Sequence, residues 1–478
     1  MNLKEIFEKG RKDGEIITLL KKKKLNVPAW EKIRRNYEPN RHKIVRDYRG
    51  RPNRTLEDGT VEKSTRYRFG FEKLLTSRMA GFMFDIPVKR VYNEAPAGMS
   101  EEQKAIRKQV INAIEKVYKN ARVDNENIER AKQFFSGCEI FTLWYTRDSK
   151  NQIYGFPCDF KFKCKTYSPM DGNTRLYPIF DDHDDLIAMS IEYSQVVENE
   201  TVSYFETWTK DKHYKWQTAD GGWKACEGYP LDISSYGKIP GVYMHRTEPI
   251  FTEDLNYIRE NIEYKLSENS DTISDNAAPI VVTVGEITGM EKRSDSKRFV
   301  RCASGGSVSY VTWDQGVDSM KYHVSEAIDI YFMLAQLPNI SSSKMAQLSN
   351  VSYESRQMLF ADAHMKVHDE SRSWLEFLER EFNVVKQFVK EGNKEWEPYI
   401  DQIECDHVIT PFIQNDKKTQ IDTVMRANGD KPVMSQKTAI KQLDFVDDAD
   451  AELAQIQEEE KAAPQTQESN PFGMFTAN

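Results

Sequence analysis

The chain has 478 residues, of which 39% are hydrophobic and 30% charged, with a formal net charge of -8 at pH 7. Together with a mean hydropathy of -0.68, these values describe a polar globular protein with length for about three domain-sized units. They exclude a bundle of membrane spans, because no apolar run approaches the ~20 residues a spanning helix needs, and the opening MNLKEIFEKGRKDGEI has no apolar segment of the kind a secretion signal carries.

The charge is unevenly spread. Lys21 to Ala80 carries an excess of about eleven positive charges, and Ile421 to the C-terminus an excess of about six negative ones. Cys138, Cys158, Cys164, Cys226, Cys302 and Cys405 are scattered, without a C-x-x-C pair, and are expected as reduced thiols of a cytosolic product.

In chain order, the residues predict helices over Lys4 to Lys23 and Pro28 to Tyr37. An amphipathic helix from Thr65 (Phe69, Leu74, Leu75, Met79, Phe82) closes between Gly81 and Pro87, and Val88 to Tyr92 follows as a strand. Glu101 to Asn120 and Asn125 to Gly137 are helical. From Glu139 the period changes to two: Glu139 to Arg147, Ile153 to Lys165, Leu186 to Tyr193, Thr201 to Thr209 and His213 to Gln217 predict an antiparallel sheet punctuated by Asp171-Gly172 and Asp220-Gly221-Gly222.

Two further amphipathic helices flank a small β module. The first places Leu255, Ile258, Ile262 and Leu266 on one stripe; the second does so with Val317, Met320, Val324, Ile328, Tyr331 and Leu334, after Asp314 as cap and before Pro338 as stop. Between them, Pro279 to Val284 and Arg298 to Trp313 are rich in β-branched and aromatic residues. The polar stretch Asn339 to Asn350 leads to a helix predicted from Ser352 to Glu391. It buries Phe360, Val367, Trp374, Leu378, Phe382, Val385 and Val389 and leaves His364, Lys366, Asp369, Glu376 and Lys386 to solvent. A strand at Glu404 to Ile413, helices at Lys417 to Asn428, Ser435 to Gln442 and Asp448 to Lys461, and a polar tail complete the chain.

Phosphate-loop, nucleophile-elbow, zincin and dinucleotide signatures are all absent from the sequence. Asp181, Asp182, Asp184 and Asp185 around His183 form the densest carboxylate cluster, but they lie between two strand signals, where an exposed turn is expected rather than a cation site. His364 and His368 stand one helical turn apart without a third ligand. The residues thus indicate no catalytic group, metal set or cofactor. Ser341, Ser342, Ser343 and Lys344 offer hydroxyls and one cation suited to transient phosphate contact.

The order of these elements resembles the portal proteins of tailed bacteriophages, in particular long-tailed phages with a non-contractile tail. The likeness is carried by RFGFEKLLTSRMAGFMFDIPV (Arg68 to Val88), GKIPGVYMHR (Gly237 to Arg246), LSENSDTISDNAAPIVVTVG (Leu266 to Gly285) and DTVMRANGDKPVMSQKTAIKQLDFVDDADAELAQIQEEE (Asp422 to Glu460), and it spans Arg41 to Lys461. One departure is Val351-Ser352-Tyr353-Glu354-Ser355-Arg356, where many relatives begin the long helix with small residues in a pattern like S-G-x-A-L-K.

The resemblance implies an α+β, predominantly helical fold with wing, stem, clip and crown, assembling into a ring of twelve at one capsid vertex. The wing would be 1–251 and 352–410, the latter holding the long helix and a return strand. The stem would be 252–274 and 315–336, the clip 275–314, the tunnel loop 337–351, the crown 411–461 and a disordered tail 462–478. It implies no enzyme and no cofactor, location in the virion, and no membrane. The implied partners are further copies of itself, double-stranded DNA held non-specifically, the major capsid protein, a terminase packaging motor, a head-completion adaptor and a scaffold protein. Ser341, Ser342, Ser343 and Lys344 would face DNA. Twelve copies of charge -8 amount to about -96, so such a ring would repel a polyanion and let it slide. On the residues alone, two other classes stay open: a metal-dependent nucleic-acid-processing enzyme using Asp181, Asp182, Asp184 and Asp185, and a monomeric structural adaptor built on the long helix.

Overall fold

The computed structural model describes residues 3–8, 10–22, 25–47, 50–55, 58–219, 221–276, 280–290, 300–311, 317–339, 358, 360–412, 421, 424–429, 433–443 and 449–462. It forms two compact units, Met1–Lys344 with Phe360–Phe412, and Met345–Leu359 with Ile413–Asn478. Helix takes up 48% and strand 23%, an α+β composition in which helices outweigh sheets.

The centre of the first unit is the helix Ala361–Gly392. Of its predicted stripe, Val367, Trp374, Leu378, Phe382, Val385 and Val389 are buried, joined by Phe377, Val384 and Phe388, whereas Phe360 precedes the helix and is half-buried. Burying each large side chain of this kind contributes roughly 1.5–3 kcal/mol. Trp374 meets Phe84 and Phe134 edge-on at 4.9 and 5.7 Å, and Phe388 stacks on Tyr236 at 4.6 Å. The helix therefore draws Phe71–Phe84 and Val123–Gly137 into one core with the neighbouring sheet. The part of the predicted helix from 352 to 357 lies outside the described residues. Asp369 and Glu376 are exposed as expected, whereas His364, Lys366 and Lys386 are half-buried. The Lys386 ammonium turns back to donate to the Ile403 carbonyl at 2.9 Å, and burial lowers the pKa of both lysines.

Glu101–Ala121 opens on a capping box in which Ser100 and Gln103 satisfy each other's backbone N–H. Arg122, in the left-handed region at φ 56°, turns the chain into Val123–Gly137. The predicted first helix is instead two pieces, Leu3–Ile6 and Asp13–Leu20, interrupted at Gly10 with φ +96°, a backbone that glycine adopts freely. Both pack on the sheet that holds Glu200–Thr209 and Lys212–Ala219 through a small core of Ile6, Ile17, Leu20, Phe205 and Trp216.

Two antiparallel sheets follow from the change of period. Glu139–Asn151 is the middle strand of three, between Gly241–His245 and Cys158–Tyr167. The latter starts later than predicted because Ile153 to Pro157 form a turn with Gly155 at φ +88°. Gly241 is required: a Cβ there would lie 2.6 Å from Phe141 Cζ and the Thr142 carbonyl. The six-stranded sheet runs Gly222–Ala225, Lys212–Ala219, Glu200–Thr209, Leu186–Val197, Arg175–Phe180, with Leu231–Asp232 beside Lys212–Ala219. Cys405–Val408 pairs with Lys89–Tyr92, closing a two-stranded sheet across more than 300 residues of chain.

The β module between the flanking helices contains two antiparallel pairs, Ile280–Val284 with Ser307–Val311 and Ile287–Met290 with Val300–Cys302. In the second unit, Gln436–Leu443 packs on Ala449–Ala462, with Ser435 Oγ accepting the Thr438 N–H at 3.2 Å. Cys138, Cys158, Cys164, Cys226 and Cys405 are free thiols. Among the described residues no helix is long and apolar enough to cross a membrane.

Candidate functional site

The two amphipathic helices around the β module are Glu253–Asn276 and Val317–Leu334. They lie side by side, with His323 Nε2 3.3 Å from Asn261 Oδ1. On the first, Leu255 and Ile262 are buried and Ile258 and Leu266 half-buried. On the second, Tyr331 is buried, but Leu334, predicted on the same stripe, is 45% exposed. The helix ends before Pro338 acts: Gln336 takes φ 55° and the Leu337 N–H reaches back to the Phe332 carbonyl at 3.1 Å. Asp314, the expected cap, lies outside the described residues.

What holds the first helix is a line of polar side chains four residues apart, Arg259, Glu263, Ser267 and Asp271, which fall on one face. The chain from Thr65 to Phe69, predicted as the start of a helix, instead runs extended along that face, and the helix begins at Phe71. Alternate backbone N–H groups donate to successive turns: Phe69 to Glu263 Oε1 at 2.9 Å, Tyr67 to Ser267 Oγ at 2.9 Å, Thr65 to Asp271 Oδ1 at 3.0 Å. The match is geometric. Two residues of strand advance about 6.6 Å and four residues of helix about 6 Å, so a short strap and a helix stay in step for three contacts. Arg51 secures the far end by pairing with Asp271 and donating to the Ser267 carbonyl at 2.8 Å. Burial pushes the Asp271 carboxyl up, but the Thr65 hydrogen bonds and the Arg51 guanidinium outweigh it, leaving its pKa below the ordinary value.

At the near end the line enters a fully buried ionic cluster. Arg259 Nε donates to Glu72 Oε1 at 2.8 Å and Arg259 Nη1 to Glu263 Oε2 at 3.2 Å, all three side chains being 0% exposed. His42, also 0% exposed, places Nδ1 2.7 Å from Glu263 Oε1 and Nε2 2.7 Å from the Asn36 carbonyl. A carbonyl only accepts, so Nε2 donates to Asn36 while Nδ1 faces the Glu263 carboxylate. Burial raises the Glu72 pKa against the pull of Arg259. For Arg259 the same burial is outweighed by Glu72 and Glu263, which hold the guanidinium charged. A helix charged on its inner face is thus tied to three upstream segments at once: 36–42, 51–69 and Phe71–Phe84.

Among the described residues, several large apolar side chains of these two helices stand exposed. Tyr257 and Tyr322 are each 70% exposed and Met333 62% exposed, with Ile330 and Leu334 beside them. Exposed apolar side chains of this size on two neighbouring helices offer material for an interaction face.

The other residues singled out in the sequence stand as follows. Ser341, Ser342, Ser343 and Lys344 lie outside the described residues. Asp181 accepts the N–H groups of His183 and Asp185 at 2.8 and 2.9 Å, and the cluster is an exposed reverse turn joining Arg175–Phe180 to Leu186–Val197. His364 and His368 gain no third ligand. Among the described residues no group of three His, Cys, Asp or Glu side chains is arranged to hold a metal ion.

A family model described as "Phage portal protein, SPP1 Gp6-like" matches residues 18–466. No curated protein matches the chain. Among solved structures, a chain of "Virion of native gene transfer agent (GTA) particle" is similar at 10% identity and a TM-score of 0.36, with 78% of this chain and 89% of that one covered.

Proposed function

This chain belongs to the SPP1 Gp6-like phage portal family and so to a phage-like head, and on that premise we propose that it forms a ring of twelve at one capsid vertex. The ring is the channel for packaging and ejecting double-stranded DNA. Glu253–Asn276 and Val317–Leu334 are its stem, and the β module between them is the clip on which terminase and then a head-completion adaptor dock. The major capsid protein and a scaffold protein meet the wing. The family is structural, so the protein works by geometry and not by turnover.

The observation that carries this reading is the family match over residues 18–466. It is supported by the outward apolar face of Tyr257, Tyr322, Ile330 and Met333, which neighbouring copies in a closed ring would cover on both sides of each protomer. The strap and the buried cluster serve the same end, since a channel wall must keep its register while DNA moves past. Ser341, Ser342, Ser343 and Lys344 are the loop nearest DNA. Deleting Ser341 to Gln347 should impair packaging and leave ring assembly intact; normal packaging would remove the loop from this role.

The first test is native mass with negative-stain averages. A particle of about twelve times the 55.6 kDa protomer with a central hole is the expected result. A monomer that forms no ring at high concentration or with scaffold protein present would overturn the proposal in favour of an adaptor.

A further inference from the structure

A second row of charges lies far along the chain from the stem. In the three-stranded sheet, Tyr145 is paired with Lys163, Arg147 with Lys161 and Leu143 with Lys165. Residues of one parity share a face, so Tyr145, Arg147, Lys161, Lys163 and Lys165 stand together. At its base this face is core, where Phe141 and Leu143 are buried against the six-stranded sheet. Towards the hairpin tip Tyr145, Arg147 and the three lysines are exposed. Lys165 lies 4.6 Å from the centre of the Tyr167 ring. None of the four cations has a salt bridge among the described residues. Two residues before Lys161 the same alternation places Asp159.

In a protein of net charge -8, four unneutralised cations side by side require a reason. We infer that this hairpin face binds the phosphate backbone of duplex DNA, without reading sequence, as a contact separate from the channel. The occupant follows from the chemistry. The lysines recur about every 6.6 Å along a strand, on flexible stems that deliver point charges to successive phosphates. Backbone contact needs cations and no base-reading groups. An acidic protein partner would require an apolar centre to its interface, and the exposed strip offers only the rings of Tyr145 and Tyr167. The inference rests on the portal reading only for why duplex DNA is at hand; the contact needs neither ring nor stem.

The Cys158–Tyr167 strand is the edge of its sheet, and lysines on an edge also deter strand-to-strand aggregation. The experiment separates these roles. Binding of the full chain to a fluorescent duplex of random sequence is followed by anisotropy from 50 to 200 mM NaCl, for the native protein and for Lys161→Gln/Lys163→Gln/Lys165→Gln. Each neutralised phosphate contributes about 0.9 to the slope of log affinity on log salt, so the triple variant should show a slope shallower by about 2.7. A control changing exposed Lys104, Lys108 and Lys119 of Glu101–Ala121 to Gln should keep the native slope.

Four outcomes would overturn the inference. They are an unchanged slope in the triple variant, an equal loss in the control, self-association as the variant's sole defect, and tighter, competing binding by a peptide of this chain's acidic residues 449–462. Measuring the assembled and unassembled fractions separately keeps failure of this contact distinct from failure of the ring.

Discussion

Arg130 and Arg259 are both completely buried, yet they are neutralised in different ways. Arg130 meets one carboxylate, Glu381, at 3.0 Å, and its remaining hydrogens go to neutral acceptors, Asn127 Oδ1 at 2.9 Å and Thr166 Oγ1 at 3.2 Å. Trp144 Nε1 donates to the same Glu381 at 2.9 Å. Every polar atom of that pair is surrounded by the core of the long helix and the sheet, so the network locks parts that are packed anyway. Arg259 instead bridges two carboxylates, Glu72 from Phe71–Phe84 and Glu263 one turn along its own helix, which also carries the exposed Tyr257. Buried charge there substitutes for apolar packing that a half-exposed helix cannot provide. The cost of removing one partner is high in both places, because an unpaired charge stays behind, but the region that loosens should differ.

The largest effect is expected from Arg259→Met, which leaves Glu72 and Glu263 buried without their guanidinium, Glu263 keeping only His42 and the Phe69 N–H: a loss of about 5 kcal/mol in stability. Hydrogen exchange should rise first in 42–69 and in Glu253–Asn276. A variant that exchanges faster uniformly would erase the contrast between the two sites. Glu381→Gln should cost about 3 kcal/mol, since the amide oxygen still accepts from Trp144 while Arg130 loses its counter-charge. Its signature is a drop in the midpoint of chemical unfolding with no preferential loosening of the Glu253–Asn276 helix.

Acid probes the long helix at a different point, because His407 packs 6.1 Å from Phe382. Burial, with the Arg90 charge adding to it, lowers its pKa to about 4. The unfolded chain takes up that proton near pH 6.5. Stability from this group is therefore full above pH 6.5 and is lost between 6.5 and 4, approaching about 3 kcal/mol at the lower end. His407→Gln should flatten the thermal-melting profile over that window; an unchanged profile would assign the acid sensitivity elsewhere. The smallest effect is expected from Ser267→Ala, which removes the middle rung of the strap and leaves the Tyr67 N–H without its acceptor, for about 1 kcal/mol. It should appear as faster exchange at Tyr67.

Much of the fold was legible because periodicity is local. The stripe from Val367 to Val389, the helix after Ser100 and the alternating strands from Glu139 follow from residues within a few positions of each other. The failures included local competitions that the pattern does not decide, with Gly10 splitting the first helix, Gly155 delaying a strand and Gln336 ending a helix before Pro338 could, and one tertiary override, since Thr65 to Gly70, predicted as the start of a helix, is drawn out along Glu253–Asn276 and the helix begins only at Phe71. The strap had a visible trace in Arg259, Glu263, Ser267 and Asp271, a polar line every four residues beside an apolar stripe. Nothing in it named Thr65, Tyr67 and Phe69 as partners, since they contribute backbone and not side chains. The basic face at Lys161, Lys163 and Lys165 was hidden in the same way, because alternation predicts exposure but register alone brings Arg147 alongside.

By itself the sequence determined the kinds of elements, their order and the likeness to phage portal proteins, all of which depend on short-range pattern and spacing. Only the tertiary structure decided which charges are buried together. Glu72 and Arg259 are 187 residues apart and Arg130 and Glu381 are 251 apart. Whether such groups are solvated or paired depends on a dielectric environment that exists only once the chain has closed around them.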